Sequence, residues 1–94
     1  VSKRVLVAGA SGFTGALAAQ IVWDHPQLEL VAATSRSDVG KRLDQLYPRY
    51  RVPIELTELD PERVEGIDAA IVAYPHGAAA PTVAALREQG ILVV

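Results

Sequence analysis

Val5 to Gly15 reads Val-Leu-Val-Ala-Gly-Ala-Ser-Gly-Phe-Thr-Gly, and this stretch decides the fold. Its first four residues, Val5 to Ala8, are a short apolar run that ends at a glycine. The period then changes: Leu17 and Ile21 stand four apart, with Ala18 and Val22 widening the stripe, the spacing of an apolar helix face. The reading is strand, tight turn, helix. In that context spaced glycines have physical work to do. Gly9 permits the tight turn, Gly12 lets a pyrophosphate approach the backbone, and Gly15 lets the helix pack closely on the sheet. The unbonded amides at the helix start then face the anion in the favourable direction of the helix dipole. The spacing, Gly-x-x-Gly-x-x-Gly, is one residue longer than the usual dinucleotide fingerprint. No Gly-Lys-Ser/Thr follows, which excludes a P-loop.

Working outward, the helix should finish near Trp23, because Asp24, His25 and Pro26 supply a polar stop and a residue that cannot continue it. His25 is read as structural. Leu28 to Thr34 is β-rich with only Glu29 charged, the composition of a strand covered on both faces. Together these segments make a right-handed βαβ unit with parallel strands. From Ser35 to Pro53 the pattern weakens, Leu43 and Leu46 suggesting a short helical turn before Tyr47 and Pro48, and a weak strand is expected from Val52 to Leu59. Asp60, Pro61 and Glu62 resemble a helix start. Ala69 to Ala73 reads as a buried strand. A second helix is expected from about Ala80 to Gln89, starting near Pro81, burying Val83 and Leu86, and stopping at Gly90. Ile91 to Val94 opens a further strand. The fold class is therefore α/β, a Rossmann-like doubly wound parallel sheet, with residues 1–94 as one nucleotide-binding domain. A chain ending inside an apolar strand is expected to be a truncated or excised domain of a longer one.

The residues at the strand ends narrow the ligand. In an NAD site an acidic residue about 20 positions after the loop accepts the ribose 2′-hydroxyl, whereas an NADP site places an arginine there. Here the second strand ends Thr34-Ser35-Arg36-Ser37, and Asp38 follows only after these donors. Arg36 offers a planar fork for phosphate, and the Ser35 and Ser37 hydroxyls suit the remaining oxygens. The cofactor indicated is NADP. In the first loop, where Phe13 joins the glycines in framing the site, Ser11 and Thr14 can donate to the pyrophosphate, and Ser11 can alternatively cap the helix. Tyr74, Pro75, His76 and Gly77 follow a strand at the carboxyl edge of the sheet, where ligands collect in open α/β folds, and are expected to flank the nicotinamide. His76 can serve as an acid or base, or simply as a hydrogen-bonding residue.

Composition sets the limits. Nine Lys and Arg against eleven Asp and Glu leave a net charge of −2 with no basic cluster, so neither nucleic acid nor a membrane surface is the expected partner. No apolar run approaches the roughly 20 residues of a bilayer span, and Val1 to Gly9 does not read as a signal peptide; a soluble, cytoplasmic protein is expected. At this size the buried fraction is small, which favours a partner domain or subunit. The chain has no cysteine, excluding disulfides, thiolate metal sites and thiol catalysis by these residues alone. Tyr47, Tyr50 and Tyr74 are followed four positions later by Arg51, Ile54 and Ala78, so the Tyr-x-x-x-Lys of short-chain dehydrogenases is missing. No serine elbow or metal cluster is visible, and no catalytic or metal-binding residue is assigned to this segment.

Several short motifs occur together: Val7 to Gly15 (VAGASGFTG), His25-Pro26, Thr34 to Ser37 (TSRS), Gly40 to Leu43, Leu46-Tyr47-Pro48 and Tyr74 to Gly77 (YPHG). With them the chain resembles, over nearly its whole length, the N-terminal part of the N-acetyl-γ-glutamyl-phosphate reductases of arginine biosynthesis, within the wider semialdehyde-dehydrogenase-like group. The lysine-pathway reductases of amino-adipyl phosphate are similar enough to stand beside them, and a non-catalytic NADP-binding or sensor module is the alternative from another class. The resemblance implies NADPH-dependent reduction of an acyl phosphate to a semialdehyde through a cysteine thioester. It also implies that the cysteine, its assisting histidine and the substrate contacts belong to a second domain, within a homo-oligomer. Tyr74 departs from the leucine anticipated before Pro-His-Gly.

Overall fold

A computed structural model describes residues 3–60, 66–74 and 79–94. The expected strand is β1, Lys3–Ala8, two residues longer than its apolar run. Its side chains alternate between two cores: Val5 and Val7 join one buried cluster, Leu6 and Ala8 the other. That alternation places β1 at the centre of the sheet, with apolar layers on both faces.

The elements that follow are α1 (Phe13–Asp24), β2 (Leu28–Thr34), the single turn α2 (Leu43–Leu46), β3 (Leu56–Thr57), β4 (Ala69–Val72), α3 (Ala80–Glu88) and β5 (Leu92–Val93), with a 3-10 turn at Pro48–Tyr50 after α2. The five described strands form one parallel sheet in the order β3-β2-β1-β4-β5. The chain thus winds outward from β1 in both directions, as in a doubly wound Rossmann-like sheet. The Val5 and Val7 face is covered by Ala16, Ala19 and Val22 of α1, with Leu43 and Val52 extending that core. The opposite face is closed by Leu86 of α3 and by Ile91. Full burial of a leucine such as Leu43 or Leu86 contributes about 1.5–3 kcal/mol.

Three expectations change. The buried face of α1 is Gly15, Ala16, Ala19 and Val22, whereas Leu17 and Ile21 are 39% and 56% exposed. The cause is the first turn. Gly15 lies against the backbone of Gly9 and Ala10, which fixes the rotation of the helix. At about 100° per residue, Ala19 and Val22 then fall within about 40° of Gly15, and Leu17 and Ile21 lie on the far side with Phe13. Small residues win the inner face because the helix sits close. In α3, similarly, Thr82 joins Leu86 on the buried side while Val83 is only half-buried. The weak strand expected from Val52 to Leu59 pairs only at Leu56–Thr57, preceded by a bridge from Glu55 to Arg42. The helix start read at Asp60, Pro61 and Glu62 lies largely outside the described residues.

Register is what matters for the site. Ala8, the last residue of β1, pairs with Thr34 at the end of β2 and with Val72 at the end of β4. Three loops therefore leave the same edge side by side: 9–12, 35–37 and 73–74. The chain diverges between β1 and its two neighbours there, making the crevice in which open α/β sheets hold ligands.

Candidate functional site

The glycine loop is pinned from below. The Gly9 and Ala10 amides both donate to the Thr34 carbonyl, at 3.1 and 2.9 Å, so the chain turns directly over the end of β2. Gly9 makes that turn at φ +82°, a conformation costly for residues with a Cβ. The Gly12 amide returns to the Gly9 carbonyl at 3.3 Å, and the first intrahelical bond runs from the Ala16 amide to the Gly12 carbonyl at 2.9 Å. The amides of Phe13, Thr14 and Gly15 precede that bond in the first turn, where no intrahelical acceptor exists for them. No acidic side chain stands in this turn, which leaves the positive end of the helix to an anion.

The two later glycines play different parts. A Cβ on Gly15 would overlap the Gly9 carbonyl oxygen and lie 2.7 Å from its carbon and 2.9 Å from Ala10 Cα, so only glycine fits. The close approach read for Gly15 is real, but its partner is the loop backbone. A Cβ on Gly12 would meet only the Gly9 carbonyl oxygen, at 3.7 Å. Gly12 borders a cavity of about 270 Å³ lined also by Gly9, Ser11, Arg36, Ser37 and Tyr74. The bare backbone at that point is a cradle that a side chain would fill, and a pyrophosphate suits it in size and charge.

Hydroxyl groups tie this loop to the next. Ser35 is buried, its Oγ accepting from the amides of Ser37 (3.2 Å) and Asp38 (2.9 Å) and donating to Ser11 Oγ at 2.9 Å. The Ser35 hydroxyl is thus fully committed to shaping the loop, and the bond to Ser11 does not use the proton of Ser11. Ser11 does not cap α1; the N-cap is Gly12, without a side-chain cap. Thr14 and Phe13 are exposed on the first turn. Ser37 Oγ donates to Asp38 at 3.0 Å, and Lys41 pairs with the same carboxylate at 3.3 Å, so the acidic group beside the strand end is already neutralised. Arg36 is exposed, its guanidinium 4.2 Å from the centre of the Tyr74 ring. Gly9, Ser11, Gly12, Arg36, Ser37 and Tyr74 therefore converge on one crevice. Pro75, His76 and Gly77 lie outside the described residues.

Tyr47 is the site residue that sequence reading did not assign. Its hydroxyl donates to the Ser11 carbonyl at 2.9 Å, and its ring stacks on Tyr50 with centroids 5.7 Å apart. The contact joins positions 36 residues apart, and only the Leu46-Tyr47-Pro48 motif hinted at it. Tyr47→Phe keeps the ring and removes the bond; a loss of about 1 kcal/mol in stability is expected, read as a lower urea midpoint with unchanged slope.

Among the described residues, no cluster of three or more histidine, aspartate or glutamate side chains is placed to hold a metal ion, and no helix is long and apolar enough to cross a membrane.

Residues 4–94 match the family described as semialdehyde dehydrogenase, NAD binding domain. Among curated proteins, the N-acetyl-gamma-glutamyl-phosphate reductase of Salinispora tropica is 40% identical over 84 residues, covering 88% of this chain and 25% of that protein. The reductase of the same name from Syntrophobacter fumaroxidans is 42% identical over 94 residues, covering 97% and 27%. The chain spans about a quarter of the length of the curated relatives it matches. Among solved structures, aspartate semialdehyde dehydrogenase with NADP from Candida albicans superposes with a TM-score of 0.82 at 22% identity, covering 99% of this chain and 29% of that one. A 3-ketoreductase from Actinomadura kijaniata, in complex with TDP-benzene and NADP, gives 0.74 at 22% identity, covering 99% and 29%. These two likenesses establish the fold.

Proposed function

The chain belongs to the semialdehyde dehydrogenase family, as its NAD-binding domain, and from that premise we propose that it is the NADP-binding part of an N-acetyl-γ-glutamyl-phosphate reductase. The observation that carries the reading is identity of 40–42% to reductases of that name along nearly the whole chain. The crevice at the carboxyl edge supports it. In this reading residues 1–94 form one domain of a longer, cytoplasmic, homo-oligomeric enzyme whose substrate is a small acyl phosphate.

NADPH, when bound, supplies the hydride that takes the acyl group to the semialdehyde. The chain's own residues bind and orient. The amides of Phe13, Thr14 and Gly15 receive the pyrophosphate, with the Ser11 hydroxyl as a further donor. Gly12 leaves the room this requires. Arg36 faces the 2′-phosphate, and Lys41 keeps the Asp38 carboxylate from opposing it. Ser35 and Tyr47 act one step back, holding Ser11 by its hydroxyl and its carbonyl. The 94 residues contain no cysteine, so the thiol that accepts the acyl group must come from elsewhere in the protein, and this segment alone binds cofactor without turnover.

The reaction can be run backward as a test. Full-length protein given N-acetylglutamate semialdehyde, NADP⁺ and inorganic phosphate should form reduced nicotinamide, followed by its absorbance, at a rate that requires phosphate. A rate independent of phosphate, or turnover only with the amino-adipate semialdehyde, rejects the assignment.

A further inference from the structure

We propose that Tyr74 is a positioning residue for nucleotide selection, its ring holding the Arg36 guanidinium over the crevice so that preference for a 2′-phosphate depends on a side chain that need not touch the phosphate. The inference rests on the NADP reading above and assigns the means by which this chain enforces it.

Arg36 is exposed and, among the described residues, has no hydrogen-bond or ion-pair partner. A long side chain in that state samples many rotamers, and ordering it on binding costs entropy. Its contact is with the face of Tyr74, 4.2 Å from the ring centre, well inside the range of a cation–π interaction. The ring also touches the glycine loop: Tyr74 Cδ1 lies 3.0 Å from the point where a Gly9 Cβ would stand, so the ring packs on the bare turn. The order is Gly9, Tyr74 ring, Arg36.

The way Arg36 is held decides what it can still do. A carboxylate partner would occupy the in-plane N–H donors that recognise a phosphate, whereas an aromatic face holds the guanidinium through its π surface and leaves those donors free. The pair also stands between two cavities: the one of about 270 Å³ over Gly9, Ser11 and Gly12, and one of about 430 Å³ bordered by Val39, Glu58, Leu59 and Thr82. Arg36 and Tyr74 line both. A fork held at that boundary lines the glycine-loop cavity. A leucine at position 74 would pack on Gly9 without a π face for the guanidinium.

Calorimetric titration of the full-length protein with NADPH and with NADH tests this. Tyr74→Leu should raise the dissociation constant for NADPH about two- to fivefold more than that for NADH. Tyr74→Phe should bind both like the parent. In an Arg36→Ala background Tyr74→Leu should change NADPH and NADH binding alike. Should Tyr74→Leu fold poorly, progressive ring fluorination of a phenylalanine placed at 74 weakens the π face while keeping the shape, and the NADPH constant should rise with each step while the NADH constant stays put. Equal losses for the two nucleotides, or an NADPH-selective Tyr74→Leu loss that persists without Arg36, overturn the proposal while leaving the NADP reading intact. An Arg36→Ala variant that binds both nucleotides like the parent removes the NADP reading and this proposal together.

Discussion

Gly15→Ala is expected to destabilise the domain by about 3 kcal/mol, out of a total on the order of 5–14 kcal/mol for a chain of this length. The added methyl would meet the Gly9 carbonyl and Ala10 Cα. These are backbone atoms, so no rotamer change relieves the overlap. Nor can the loop retreat cheaply: the Gly9 and Ala10 amides are bonded to the Thr34 carbonyl, and Tyr47 holds the Ser11 carbonyl. The remaining relief is for α1 to lift, which opens the layer formed by Ala16, Ala19 and Val22. Alanine gains about 1 kcal/mol of helix propensity over glycine, which offsets only part of the cost. Gly12→Ala is the matched control. Its methyl meets one atom at 3.7 Å and otherwise faces the cavity that Gly12 borders, so stability should stay within about 0.5 kcal/mol while NADPH binding falls. Urea unfolding and calorimetric titration on both variants separate the two effects. Gly15→Ala unfolding at the parent's urea midpoint would refute the close approach.

That contrast marks what can be read from a sequence here. The bounds of β2 follow directly from Leu28 to Thr34, because a strand buried in a parallel sheet writes its burial into a continuous apolar run. The position of the glycine loop is equally open to reading, since a strand, three spaced glycines and a helix are local. The rotation of α1 is not. Hydrophobicity selects Leu17 and Ile21 for the inner face, but the contact between Gly15 and Gly9 turns Ala16 and Ala19 inward, and small residues packed closely carry almost no hydropathy signal. The site divides in the same way. Arg36 is visible because it stands at a strand end. The commitment of Ser35 to Ser11, and of Tyr47 to the Ser11 carbonyl, spans 24 and 36 residues; such contacts exist only once β1 and β2 are in register and the segment after β2 folds back over the loop. Ser35, read as a phosphate ligand, is thereby a part of the scaffold that presents Ser11.

Arg36→Ala is expected to weaken NADPH binding about tenfold to a hundredfold and to leave NADH binding nearly unchanged. Hydrogen bonds to a charged group contribute about 1.5–3 kcal/mol, and each 1.4 kcal/mol is a tenfold change in the dissociation constant. The 2′-phosphate is the only part of NADPH that NADH lacks, so a contact made there appears in one constant and not in the other. Selectivity should not simply reverse, because Asp38, the acidic residue nearest the strand end, is bonded to Ser37 and paired with Lys41. Arg36→Lys should fall between parent and alanine, since it restores the charge but neither the planar fork nor its full stacking on Tyr74. Because the pair is exposed, the NADPH constant of the parent should also weaken with added salt more steeply than that of Arg36→Ala. A parallel loss for both nucleotides would mean that Arg36 supports the loop rather than the phosphate. That outcome would move the source of nucleotide choice away from the end of β2, and with it the reason for a ring at position 74.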